Sequence, residues 1–222
     1  MRRSRYDLGN SFSGRSNMAS WHLENAAEIA SRNPYTFFKP SAENIAQVQP
    51  GEVVKLIFGY ISDAGDLPGV PGQERLWVEV SSVDDGGHFT GKLDASPAHI
   101  EDLSEGDTVV FGSEHIIETQ HAEAANLIAK YSAYCIVTKR VLLEGAKVGF
   151  LYRDPSERDE DSGWCITAGD ESEEYMDDPG NAFYVPLGAV LNRDDSIIDL
   201  LGSEVGAHFM RGGNGVFVRV TG

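Results

Sequence analysis

Two kinds of apolar pattern alternate along the first half of the chain. Val53 to Ile61 (VVKLIFGYI) is almost continuously apolar, as a buried strand is. Glu74 to Val83 (ERLWVEVSSV) alternates instead, with Leu76, Val78 and Val80 on one side and Trp77, Glu79 and Ser81 on the other. Asp85-Gly86-Gly87 is a hairpin turn, after which His88 to Leu93 returns as a strand. Thr108 to Phe111 and Ile116-Ile117 add two short strands, and Leu67 to Gly72 (LPGVPG) reads as a loop because its prolines and glycines cannot sustain a ladder. Short strands between frequent turns predict a small, bent antiparallel sheet or partial barrel. Upstream, Ala19 to Arg32 carries Trp21, Ala26, Ala27, Ile29 and Ala30 at helical spacing and ends at Asn33-Pro34, since the residue before proline avoids the helical region. Tyr35, Phe37 and Phe38 follow, either as a contact patch or as packing for the core of the next domain.

In the second half, Gln120 to Tyr131 (QHAEAANLIAKY) predicts a helix with Ala124, Leu127, Ile128 and Tyr131 on one face. Tyr134 to Thr138 reads as a buried strand. Val148 to Tyr152 and Trp164 to Thr167 flank a Pro/Ser/Asp/Gly loop and read as a hairpin. Phe183 to Val185 is another strand, and Pro186 opens a helix over Leu187 to Leu191. Asp194 or Asp195 caps Ser196 to Leu201, which Gly202 stops. His208 to Met210 and Val216 to Val220 flank Gly212 to Gly215, a hairpin with Asn-Gly at its turn. The expected architecture is α+β with two small domains. Residues 1–32 form a tail and N-terminal helix, 33–119 a bent antiparallel sheet or partial barrel, and 120–222 a mixed sheet with short helices.

Charge narrows the choice of partner. The 222 residues hold 18 Lys and Arg against 35 Asp and Glu, a net charge of −17. With 41% apolar residues this is not the composition of a disordered chain. Such a surface repels nucleic acid and anionic membranes and speeds association with basic proteins. The expected partner is therefore a protein with a basic cleft, with neither nucleic acid nor membrane involved. No stretch approaches the apolar length of a membrane span. The leading MRRSRYDLGNSFSGRSN has Arg2, Arg3, Arg5 and Arg15 but no apolar core, so it reads as a tail rather than a secretory leader, with Met18 as an alternative start. Cys135 and Cys165 lie in strand-like runs and read as buried thiols of a cytoplasmic protein.

The acids are not spread evenly. Asp154, Glu157, Asp159, Glu160 and Asp161 precede Trp164, and Asp170, Glu171, Glu173, Glu174, Asp177 and Asp178 follow it, opposed only by Arg153 and Arg158. Aromatic side chains supply binding energy at interface centres while charges steer and orient. Tyr152, Asp159, Glu160, Asp161, Trp164, Asp170, Glu171, Glu173, Glu174 and Tyr175 are accordingly the candidate partner-binding residues, although the place of Trp164 inside a strand fits a core residue equally well. Signs of catalysis are missing. Gly212 to Gly215 lacks the spacing and Lys-Ser/Thr of a P-loop, no Gly-x-Ser-x-Gly elbow exists, and the six histidines are scattered. Glu157, Asp159 and Asp161 alternate as in a calcium loop, but the glycine is displaced by one and the distal glutamate is absent. A dense exposed acidic run is also the opposite of the apolar pocket that raises a catalytic carboxyl group. No catalytic residue, metal ligand or cofactor is expected.

Two stretches resemble known families. Gly149-Phe150-Leu151-Tyr152-Arg153, Asp161-Ser162-Gly163-Trp164 and Ala168 to Pro179 (AGDESEEYMDDP), followed by Leu187 to Leu191, Ser196-Ile197-Ile198 and Val205-Gly206, resemble the bacterial immunity protein 33 family, also called domain of unknown function 2185. That resemblance implies neutralisation of a toxin by binding, in polymorphic-toxin or contact-dependent competition between bacteria, and brings no catalytic residues. Val54-Lys55-Leu56, Glu74 to Val80, Phe89 to Asp94, Pro97 and Gly106-Asp107 resemble domain of unknown function 2314, which marks a domain without assigning an activity. The expected function is that of a non-catalytic immunity protein. The alternatives are a hydrolase that reverses a toxin's modification in a cleft near His208, Asp195 or the acidic run, and an adaptor whose first sheet binds a separate partner.

Overall fold

The computed structural model describes residues 19–61, 71–123, 126–156 and 158–221. The expected tail, most of the loop before Gly72, Ala124 and Glu157 lie outside them. The first part contains β1 (Trp21–Leu23), α1 (Ala26–Arg32), α2 (Ala42–Ile45), β2 (Val53–Ile61), β3 (Pro71–Val83), β4 (Phe89–Leu93), β5 (Thr108–Phe111) and β6 (Ile116–Glu118). These strands form one antiparallel sheet in the order β1-β2-β3-β4-β5, with β6 also paired to β2. β1 takes residues 58–60 of β2 and β6 takes residues 55–56, so the sheet curls back into a half-barrel. Val54, Leu56, Phe58, Leu76, Val78, Val80, Phe89 and Phe111 fill its inside. The turn expected at Asp85-Gly86-Gly87 forms, with Asp84 Oδ1 accepting from the amides of Gly86 and His88.

Three local expectations change. The helix expected from Ala19 begins only at Ala26, where Asn25 caps it by accepting from the Glu28 amide. The three residues Trp21–Leu23 are a strand instead, because the open edge of β2 offers hydrogen bonds and Phe58 offers its ring, 5.3 Å from that of Trp21. Pro71 and Gly72, expected in a loop, start β3, a strand position where the missing proline N–H is tolerated.

The second part contains α3 (Leu127–Lys130), β7 (Tyr134–Thr138), α4 (Lys139–Leu142), β8 (Phe150–Arg153), β9 (Asp161–Thr167), α5 (Glu173–Asp177), β10 (Ala182–Pro186), α6 (Leu187–Leu191), β11 (His208–Arg211) and β12 (Phe217–Val220). The helix expected over Gln120 to Tyr131 shrinks to α3. Residues 120–123 bond elsewhere: His121 Nε2 lies 3.2 Å from Glu52 Oε2, Glu123 accepts from the Ser41 amide, and the Ala122 carbonyl accepts from Asn44. Those long-range bonds compete with the helical ladder. Asn126 then caps the remaining turn by accepting from the Ile128 and Ala129 amides.

The second sheet is mixed, in the order β10-β7-β9-β8-β11-β12, with β7 and β9 parallel and the other pairs antiparallel. One face carries Cys135, Val137, Leu151, Trp164, Ile166 and Phe209 against α4, α6 and the 3-10 helix Asp195–Leu200. Asp194 caps that 3-10 helix through the Ser196 amide, as expected. Its carboxylate also accepts from the Val148 amide at 3.0 Å and from Arg211 Nη2 at 2.6 Å, which ties the entry of β8 to β11.

A strap over residues 33–38 crosses between the two sheets. The Tyr35 amide donates to Asn192 Oδ1 at 3.1 Å, and Asn192 Nδ2 donates to Thr36 Oγ1 at 2.6 Å. The Tyr35 ring meets Tyr131 edge-on at 5.6 Å. Gly188 is needed here, since a Cβ would collide with the Tyr35 carbonyl. Phe37 packs with Ala26, Ile29, Ile57 and Ile117. Of the two readings of these aromatics, packing is the one realised by Tyr35 and Phe37.

Candidate functional site

The period of two residues along a strand puts alternate side chains on opposite faces. In the second sheet the face away from α4 and α6 carries Tyr134 and Ile136 from β7, Tyr184 from β10, Cys165 from β9, Phe150 and Tyr152 from β8, His208 and Met210 from β11, and Val218 from β12. Ile136 is 46% exposed, Tyr184 42%, Met210 48% and Val218 53%. The rings are ordered against one another. Tyr134 and Tyr184 stack at 4.9 Å, and Tyr152 and His208 at 5.6 Å with 12° between planes. Burial first, then the neighbouring Cys165 thiol and Asp154, push the Tyr152 hydroxyl up to about 12. Burial likewise raises both thiols, Cys135 to about 12, so neither is an activated nucleophile at neutral pH. Phe150, Tyr152, Thr167, Glu171, Met176 and Met210 line a shallow depression of about 310 Å³ on this face.

Acidic loops frame the face at its two ends. The β8–β9 loop brings Asp159 and Glu160, both exposed, and Asp161. Asp161 Oδ1 accepts from the Gly163 amide at 2.8 Å and so shapes the return into β9. There Gly163 has φ +76 and a Cβ would strike the Asp154 carbonyl, so only glycine fits. At the other end, Glu171 accepts from the Ala168 and Gly169 amides and from Thr138 Oγ1, each at 2.7 Å. Burial alone would raise the Glu171 carboxyl group; those three bonds outweigh it and hold the group below the usual range. Asp170 pairs with Arg140. Glu173 and Glu174 stand exposed in the first turn of α5, which Ser172 caps. Tyr175 is half-buried, and its hydroxyl has no hydrogen-bond partner among the described residues.

The ten expected partner-binding residues therefore divide. Tyr152 lies on the open face, and Asp159, Glu160, Glu173 and Glu174 are exposed at its ends. Asp161 bonds within its own loop, Glu171 bonds to its own loop and to Thr138, and Asp170 pairs with Arg140 of α4. Trp164 is the correction. It is 1% exposed, on the core side of β9, with Nε1 donating to the Leu201 carbonyl at 3.3 Å and Arg153 stacked 5.9 Å from its ring. Its neighbour Cys165, half-buried, is the residue of that strand that faces the open side. The residues not anticipated are Tyr134, Ile136, Tyr184, Phe150, Met210 and Val218. Their signal was the alternation hidden inside runs such as YCIVT, where both faces are apolar. His208 and Asp195, considered for a hydrolytic cleft, lie apart: His208 stacks on Tyr152, while Asp195 accepts from the Tyr35 hydroxyl at 3.3 Å. Among the described residues no group of three or more His, Cys, Asp or Glu could hold a metal ion, and no helix is long and apolar enough to cross a membrane.

Residues 21–141, more than half of the chain, match the family model described as an uncharacterized protein conserved in bacteria (DUF2314). The chain belongs to the DUF2314 family. In this DUF2314 protein the family match runs from β1 through the half-barrel to the start of α4. Residues 135–221 match a second model, the immunity protein Imm33 domain, which holds most of the open face. No curated protein and no solved structure matches.

Proposed function

We propose that this DUF2314 protein is a cytoplasmic immunity protein that neutralises a cognate bacterial toxin by stoichiometric, non-covalent binding, with the open face of the second sheet as the docking surface. The observation that carries the reading is that face: a continuous strip of tyrosines, aliphatic side chains and methionine with no element packed on it among the described residues, within a match to an immunity domain. Contiguous apolar surface of this kind marks an interaction site. A net charge of −17, with exposed acids at both ends of the strip, favours a toxin with a basic cleft. In this reading Ile136, Tyr152, Tyr184 and Met210 hold the complex together. Asp159, Glu160, Glu173 and Glu174 steer the encounter. Binding alone suffices, and no bond is made or broken.

The test screens candidate toxin domains, taken first from any encoded beside the gene for this chain, by surface plasmon resonance. Ile136→Asp with Tyr184→Ala is expected to speed dissociation by about 30-fold or more, the loss of at least one hot spot. Glu173→Lys with Glu174→Lys is expected to slow association severalfold at low salt and leave dissociation nearly unchanged. If both pairs bind and protect like the parent chain, this face is not the interface. If the chain protects at amounts far below the toxin's, binding is not the mechanism.

A further inference from the structure

A second site is built on the half-barrel, away from the face just discussed and independent of it. On the outer side of β2 and β3, Lys55, Arg75 and Trp77 alternate with the core residues Val54, Leu56, Leu76 and Val78. The strap covers this side with Phe37 and Phe38, and Ile117 of β6 and Ile128 of α3 close it, leaving a cavity of about 640 Å³. That volume falls within the usual range of small-molecule sites. Lys55 is already answered inside the cavity. Its ammonium lies 4.1 Å from the centre of the Trp77 ring and 2.5 Å from Glu118 Oε2. Arg75 lines the same cavity, yet it makes no hydrogen bond or ion pair among the described residues. Its guanidinium, exposed in a cavity walled by three aromatic rings, is thus available to a ligand.

We infer that this cavity binds a small organic anion, with a flat ring held among Phe37, Phe38 and Trp77 and a carboxylate or phosphate on the Arg75 guanidinium. The planar fork of arginine matches both anions with two parallel hydrogen bonds. Lys55 adds positive potential without leaving Glu118. Aromatic walls provide apolar area for the ring and disfavour a fully hydrated ion such as inorganic phosphate.

The full chain is titrated with phenyl phosphate, benzoate, inorganic phosphate and benzamidine while the Trp77 indole N–H and Arg75 Nε–H signals are followed by nitrogen-edited NMR. Saturable shifts of both signals with phenyl phosphate, benzoate or both are expected; the tighter of the two identifies the anionic group. Arg75→Gln should weaken that binding about tenfold or more, and Arg75→Lys should recover only part of it. Because Arg75 is exposed, both variants keep the fold, which an unchanged spectrum outside the cavity verifies. No saturable shift below about 10 mM (a level that leaves under about 3 kcal/mol of affinity) overturns the inference. So does unaltered affinity in Arg75→Gln, or benzamidine or inorganic phosphate bound as tightly as benzoate and phenyl phosphate.

Discussion

Trp164→Ala separates the core of the second sheet from its docking face. The ring is 1% exposed, packs beside Phe209 with centroids 6.3 Å apart, and carries Arg153 above it. Burying about 150–250 Å² at about 25 cal/mol per Å² contributes about 4–6 kcal/mol. Large-to-small changes at aromatic core sites cost about 3–5 kcal/mol, in agreement. With a urea slope of about 2 kcal/mol per molar, the unfolding midpoint of the second sheet should fall by about 2 M. Trp164→Phe, which keeps most of the volume but loses the bond to the Leu201 carbonyl, should cost about 1–2 kcal/mol. Tyr184→Ala, at a site 42% exposed, should cost no more than about 1 kcal/mol. The assay is urea denaturation followed by far-ultraviolet circular dichroism; in the two Trp164 variants the remaining tryptophan fluorescence comes from Trp21 and Trp77 and reports the half-barrel. A Trp164→Ala midpoint within about 0.3 M of the parent would refute the burial argument, since it corresponds to under about 1 kcal/mol.

Two further outcomes follow from the polar contacts. Asp194 is 5% exposed; burial would raise its carboxyl group, but the Ser196 and Val148 bonds and the Arg211 and Lys147 charges outweigh that and lower it. Asp194→Asn should therefore cost about 3 kcal/mol at neutral pH. Because the folded value lies below the unfolded one, the difference from the parent should be complete above about pH 4 and vanish as pH falls through the folded value, as urea midpoints across pH would show. Glu171→Gln should speed hydrogen exchange at the Ala168 and Gly169 amides about tenfold or more while leaving toxin kinetics intact; slowed association instead would assign Glu171 to the interface.

Much of this chain follows from local chemistry. Alternation in Glu74 to Val83, the Asp-Gly-Gly turn, Pro186 before α6, Asp194 before its 3-10 helix and Gly215 in the last hairpin each act within a few residues, so their outcomes are legible in order along the sequence. The excess of acids is equally a property of composition. Other outcomes depended on what arrived from a distance. Residues 21–23 became a strand because β2 offered an edge, and residues 120–123 left the helix for Glu52, Ser41 and Asn44. Above all, a strand apolar on both sides does not say which side will be covered. In β9 the covering by α6 and the helix after Asp194 sent Trp164 into the core and Cys165 out, and in β7 and β10 it left Ile136 and Tyr184 exposed. Periodicity sets that the two faces differ. Which one meets solvent is decided only when the helices pack, because burial is a relation between elements rather than a property of either.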